Sequence, residues 1–161
     1  MRKFLLLLIV LITQPAFANF ADDIAQNIFQ KKVDQLYKKA LACDPLETDP
    51  KSSMTAKNWI KIQPPLPEWP MLADIETTAN ESRKYARSIG GNDKVLHCLA
   101  GCFISKKLDY KSAVLVGWMK ELSDASDCSK KTSFEKKDYE ATIVGAKAGD
   151  ANKECDKFCK K

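Results

Sequence analysis

Four of the six cysteines fall in two C-x-x-x-C pairs, Cys98/Cys102 and Cys155/Cys159, and this spacing limits the fold more than any other feature. Residues four apart share one face of a helix. Two antiparallel helices carrying such pairs can be stapled twice, Cys98 to Cys159 and Cys102 to Cys155, which leaves Cys43 for Cys128. Each bridge would close a long loop and contribute on the order of 3–5 kcal/mol in the chain-entropy account. Six cysteines admit many pairings, and two metal readings compete. C-x-x-x-C lies within the range of zinc-ligand spacings, and soft thiolates at Cys98 and Cys102 beside His97 suit copper(I). Both need thiols that stay reduced.

The first eighteen residues set the redox context. Met1-Arg2-Lys3 is a short basic start, Phe4 to Ile12 is an unbroken apolar run, and Ala16-Phe17-Ala18 is a small-x-small cleavage pattern. This is the three-part plan of a secretory signal peptide. Nine apolar residues make ~14 Å of helix against ~30 Å of hydrocarbon, too little for an anchor. The mature chain is expected to start at Asn19, to have no transmembrane segment, and to be periplasmic or extracellular. No cysteine stands at the cleavage site to take a lipid. In an oxidising compartment an even cysteine count reads first as disulfides.

Charge excludes a further class. The chain carries 26 Lys and Arg against 21 Asp and Glu, a net +5 that drops by two when Arg2 and Lys3 leave with the leader. So mild an excess does not point to nucleic acid. At 45% hydrophobic residues, the chain can bury a real core.

Beyond the leader, Ile24, Ile28, Val33, Leu36, Tyr37 and Leu41 repeat at close to helical spacing, which predicts an amphipathic helix over 22–42. Six of the seven prolines lie between residues 45 and 70. Proline locks φ and lacks a donor, so this stretch reads as an extended connector docked through Trp59, Ile60, Ile62, Leu66 and Trp69. Helical pattern resumes over 71–89 and ends at Gly90-Gly91. Asn92 or Asp93 caps a helix to Lys107, and another runs from about Lys111 to Ala125. Thr132 with Glu135 forms a capping-box pattern that opens a helix containing Asp138 and Gly145, with Gly149 as its break before a last helical piece. No strand alternation is visible. The expected fold is all-α: a small disulfide-stapled bundle of about five helices, with 1–18 as leader, 19–91 as N-terminal helices and Pro-rich connector, and 92–161 as core.

Three of these helices carry a stripe of small residues with an ionisable side chain on it. The stripes are His97, Gly101 and Ser105; Ala113, Gly117, Glu121 and Asp124; and Asp138, Thr142, Gly145 and Gly149. Steps of three and four keep each set on one face. Glycine inside a helix costs ~1 kcal/mol relative to alanine, so such faces call for close backbone approach. If they meet, His97, Glu121, Asp124 and Asp138 converge, and their charges must be paired or liganded. Such a centre is either a buried hydrogen-bond cluster, with Lys120 or Thr142 completing the partners, or a site for acid–base work or a divalent metal. There is no Gly-rich phosphate loop, no G-x-S-x-G and no H-E-x-x-H, and no nucleotide cofactor is expected.

The run Asn92-Asp93-Lys94-Val95-Leu96-His97-Cys98-Leu99-Ala100-Gly101-Cys102, with Gly117-x-x-Lys120-Glu121-x-x-Asp124 and Asp138-x-x-Ala141-Thr142-x-x-Gly145, resembles two groups. One is the YfiM-like bacterial envelope proteins, with D-K-x-x-H, K-E-x-x-D and D-x-x-A-x-x-x-G. The other is a short domain at the C-terminal ends of some Rhs-repeat proteins, with H-C-x-x-C and G-x-x-K-E-x-x-D. The resemblance covers about residues 92–150. It implies an envelope or secreted setting and singles out His97, Lys120, Glu121, Asp124 and Asp138, without supplying an activity. This chain departs from it in having no lipid-attachment cysteine, and Thr142 where the Rhs pattern usually has asparagine.

Three functional readings follow. The first is a hydrolase acting on a cell-envelope component, with His97 as general base or ligand, Glu121 and Asp124 as its orienting or ligating carboxylates, and Lys120 as electrostatic stabiliser. The second is a non-enzymatic module that binds another exported protein through the tryptophans of the 45–70 segment. The third is a periplasmic metal carrier using His97, Cys98 and Cys102. The first needs the polar centre to open onto a cleft, the second an exposed Trp59/Trp69 patch, and the third free thiols.

Overall fold

The structure, a computed structural model, describes residues 2–43, 55–68, 71–128 and 135–161, with side chains from Asp22 onward except that of Ala56. Seven helices and no strand occur among them: α1 (Arg2–Cys43), α2 (Ala56–Ile60), α3 (Met71–Ile89), α4 (Asp93–Lys107), α5 (Tyr110–Ser126), α6 (Lys136–Asp150) and α7 (Cys155–Cys159). The all-α expectation holds. No helix among the described residues is long and apolar enough to cross a membrane.

The helix boundaries have local causes. The Asn92 side chain accepts the Val95 N–H at 3.0 Å and starts α4, and the Asp109 side chain accepts the Ser112 N–H at 2.6 Å and starts α5. Gly90 and Gly91 end α3 at φ +73° and +137°, a backbone region that side chains disfavour. Three boundaries differ from expectation. α1 runs unbroken from Arg2 through the expected cleavage point after Ala18. α6 starts at Lys136 with Glu135 as its N-cap residue, so Glu135 does not close a capping box; Thr132 lies outside the described residues. Gly149 stays inside α6, because its missing side chain serves packing, and the helix ends at Asp150.

The larger core cluster joins α1, α2, α3 and α5 through Val33, Trp59, Ile75, Leu115, Trp118 and Leu122. Trp59 is fully buried. Its Nε1 donates to the Trp118 carbonyl at 3.1 Å and the Trp118 Nε1 donates to the Trp59 carbonyl at 3.1 Å, so both indoles are satisfied without water. The connector therefore docks as expected through Trp59, Ile60 and Leu66, although a turn of helix, α2, interrupts its extension and Ile62 faces solvent. Trp69 lies outside the described residues.

The other half is a three-helix interlock. A Cβ on Gly145 of α6 would be driven into the Cys98 carbonyl of α4, and one on Gly149 into the Cys102 carbonyl. From the opposite side, Gly101 of α4 abuts the Thr142 carbonyl and Gly117 of α5 abuts the Thr142 side chain. The glycine stripes are thus where α4, α5 and α6 meet.

All six cysteines are paired as the spacing suggested: Cys98–Cys159 and Cys102–Cys155 staple α4 to α7, and Cys43–Cys128 ties the end of α1 to the turn after α5. No thiol is free, which removes both cysteine–metal readings.

Candidate functional site

The glycine contacts bring the first turn of α6 against the first turn of α4. His97 and Asp93 sit four apart on α4, and Asp138 comes from α6. The His97 Nε2 lies 3.7 Å from Asp138 Oδ2 and 3.9 Å from Asp93 Oδ1. Its Nδ1 lies 3.4 Å from the Thr142 hydroxyl. That hydroxyl donates to the Asp138 carbonyl at 3.1 Å and has no second proton, so it can accept from a protonated Nδ1. In that tautomer Nε2 would be free to ligate a cation set between the two carboxylates. The one-nitrogen, two-oxygen set lies within 4.8 Å of one another.

Lys94 holds the other side of Asp138. Its ammonium bonds Asp138 Oδ1 and, at 2.7 Å, Glu135 Oε2, leaving Oδ2 turned toward His97. Burial pulls the Lys94 ammonium down, but these two bonds outweigh it and hold the group well above the ordinary lysine range. Burial lowers the His97 imidazolium, against the upward pull of Asp138 and Asp93. Burial raises the Asp138 carboxyl, opposed by the Lys94 bond and by His97.

The site opens onto a cleft of about 290 Å³ between α3, α4, α5 and α6, whose lining includes Asp93, His97, Lys120 and Thr142. Lys120 pairs with Asp124 one turn along α5.

Of the five candidate site residues, the structure joins His97 to Asp138 and puts Lys120 on the same cleft. It does not make Glu121 and Asp124 the carboxylates of His97; Asp138 and Asp93 take that place. The cause is rotation about α5. Lys120 faces the cleft, and Glu121 points beneath α6, where its Oε2 accepts the Glu135 N–H at 3.0 Å. Glu121 is 1% exposed, and its Oε1 has no partner among the described residues. Burial pushes its carboxyl up to about 8, against the pull of the Glu135 N–H and Lys120, with Asp124 and Asp138 adding to the rise. Glu121 is thus a sealed, mostly protonated acid at neutral pH.

Sequence reasoning met Asp93 only as a helix cap and, with Lys94, as part of the D-K-x-x-H motif, and gave neither a role at the site. The signal for Asp93 was present as its i, i+4 spacing to His97. Burial of Trp59 also withdraws that indole from any contact surface. Comparison with known protein families, with curated proteins and with solved structures finds no match to the chain.

Proposed function

We propose that the chain is an exported hydrolase acting on an envelope component through a divalent cation held by Asp93, His97 and Asp138. The observation that carries this reading is the His97 Nε2 facing Asp138 Oδ2 and Asp93 Oδ1 at 3.7 and 3.9 Å, too far for direct hydrogen bonds, at the wall of an open cleft. Two carboxylates and an imidazole from two helices suit a divalent ion with positions left for water and substrate. The Thr142 hydroxyl on Nδ1 and the Lys94 ammonium on Oδ1 are the outer contacts that fix the tautomer and orientation of such ligands. The ion would supply acidification of a water and polarisation of the scissile group.

In the hydrolysis, the water oxygen bonds to the electrophilic centre as the bond to the leaving group breaks. The proton released by the water passes to the leaving group, so the step balances with the chain's own groups unchanged at its end. Export is supported by the leader pattern, by the three disulfides and by the resemblance of 92–150 to envelope proteins.

The test is uptake of Mn²⁺ by the disulfide-intact protein, followed by electron paramagnetic resonance. One ion per chain is expected, with affinity lowered by ~10-fold or more in Asp93→Asn. Asp93 is exposed, so the substitution leaves the packing intact. No uptake of Mn²⁺ or Zn²⁺ by the wild-type chain would reduce the cluster to a buried ion network tying α4 to α6.

A further inference from the structure

Two arginines on α3 stand over the same cleft. Arg83 and Arg87 are four apart, both exposed and both lining it, and neither has an ion-pair or hydrogen-bond partner among the described residues. Other basic groups near the cleft are committed: Lys94 to Asp138 and Glu135, and Lys120 to Asp124. Among the cleft's own lining residues, Arg83, Arg87 and Lys120 face a single carboxylate, Asp93. The cleft's lining also includes the apolar or small side chains Ala79, Ala86, Leu96 and Ala100. Low-dielectric walls focus the field of the guanidinium pair into the cavity.

We propose that this cleft binds a phosphate-bearing ligand, with Arg83 and Arg87 gripping the phosphate beside the Asp93/His97/Asp138 set. Each guanidinium offers a planar fork of donors that matches phosphate oxygens, and two of them together match a dianion, where a carboxylate would satisfy one. A volume of about 290 Å³ accommodates a phosphate with a few attached heavy atoms, not a folded partner. The chemistry is shared by a soluble phosphate ester and a phospholipid headgroup. This names the substrate class of the hydrolytic site; it rests on that reading for the reaction but not for the binding.

The experiment separates the two. Inorganic phosphate is titrated calorimetrically into the metal-free, disulfide-intact protein and into Arg83→Gln/Arg87→Gln, and Mn²⁺ uptake is measured on the same samples without phosphate. Vesicles of phosphatidylglycerol, with phosphatidylcholine as control, form the lipid arm. We expect saturable phosphate binding that weakens by ~10-fold or more in the double variant, the loss that follows from removing charged hydrogen bonds. Mn²⁺ uptake should be unchanged in that variant, because neither arginine touches the ligand set. Arg83→Lys/Arg87→Lys should fall short of wild-type affinity, because an ammonium keeps the charge without the fork. Arginine-dependent binding of phosphatidylglycerol vesicles without binding of inorganic phosphate assigns the phosphate to a lipid headgroup. Equal phosphate affinity in wild type and double variant, or no binding of either probe, overturns the inference even where Mn²⁺ binds. Arginine-dependent phosphate binding without Mn²⁺ uptake leaves the inference standing and removes the metal.

Discussion

Around Trp59 and Trp118, α1, α2, α3 and α5 meet through large apolar side chains, whereas α4 and α6 meet at glycines, backbone against backbone, beside two disulfides. Large side chains hold helix axes apart and leave no room for water or charge between them. Glycine contacts let two helices approach until the short polar side chains flanking the contact touch: His97, Thr142 and Asp138 are such flanks. The polar centre therefore lies in the close-packed half because the packing there is made by backbone. The apolar half supplies the rigid wall, α3 and α5, that faces it across the cleft.

The largest way to break this arrangement is Trp59→Ala. It empties a fully buried site and removes the Nε1 donor from the Trp118 carbonyl, while the bond from the Trp118 Nε1 to the residue-59 backbone carbonyl can remain. We expect a loss of ~3–5 kcal/mol by chemical denaturation. The two-half picture adds that Mn²⁺ uptake by the still-folded fraction should be unchanged, since no site residue touches Trp59.

Glu121 sharpens the boundary between the halves. Its carboxyl is raised from 4.5 to about 8 in the folded chain, so the folded state binds a proton that the unfolded state has lost across that interval. Stability contributed by the protonated acid is present below about pH 4.5 and falls as pH rises, levelling above about pH 8. Glu121→Gln keeps an acceptor for the Glu135 N–H and removes the titration. We expect it to raise stability at pH 7 by on the order of 3 kcal/mol and to flatten the profile between those limits. Thermal unfolding over pH 4–9 checks this, and a lower melting temperature at pH 8 would show that the Glu121 charge is paired.

Replacing Cys102 and Cys155 by alanine cuts one staple of α4 to α7. We expect ~2–4 kcal/mol of destabilisation by urea unfolding. Cys98–Cys159 still joins the same elements, which puts the result at the lower end of that range.

What the sequence made legible was local or covalent. The 3.6-residue periods placed α3, α4 and α5, and the C-x-x-x-C pairs offered the pairing that two antiparallel helices make, which the structure shows for α4 and α7. The glycine stripes identified which faces meet. They could not say how far each helix is rotated or shifted along its axis. α6 begins at Lys136, which puts Asp138 in its first turn beside His97 and leaves the Glu135 N–H above Glu121. Arg83 and Arg87 were illegible for the same reason: on α3 they are a solvated pair, and only the tertiary placement of α4 and α5 puts a cavity beneath them.

The smallest expected effect tests the glycine contact itself, with Gly145→Ala. In an isolated helix this change is favourable by ~1 kcal/mol, because alanine restricts the unfolded chain and exposes less backbone. Here the new Cβ meets the Cys98 carbonyl oxygen and carbon, which belong to the α4 backbone and cannot rotate away as a flexible side chain would. Room can come only by moving α4 from α6, and Cys98 is itself tied to Cys159, so that movement is resisted from the far side. Overpacking of this kind costs typically ~1–3 kcal/mol, which outweighs the helical gain and gives net destabilisation. The shift should also widen the gap between His97 and Asp138, lowering Mn²⁺ affinity while the Trp59/Trp118 cluster keeps its near-ultraviolet dichroism. Gly90→Ala is the control outside the interface: its Cβ would meet nothing, and only the φ of +73° opposes it. If Gly145→Ala proves as stable as wild type or more so, α4 and α6 do not meet backbone to backbone, and the origin assigned to the polar centre falls with that contact.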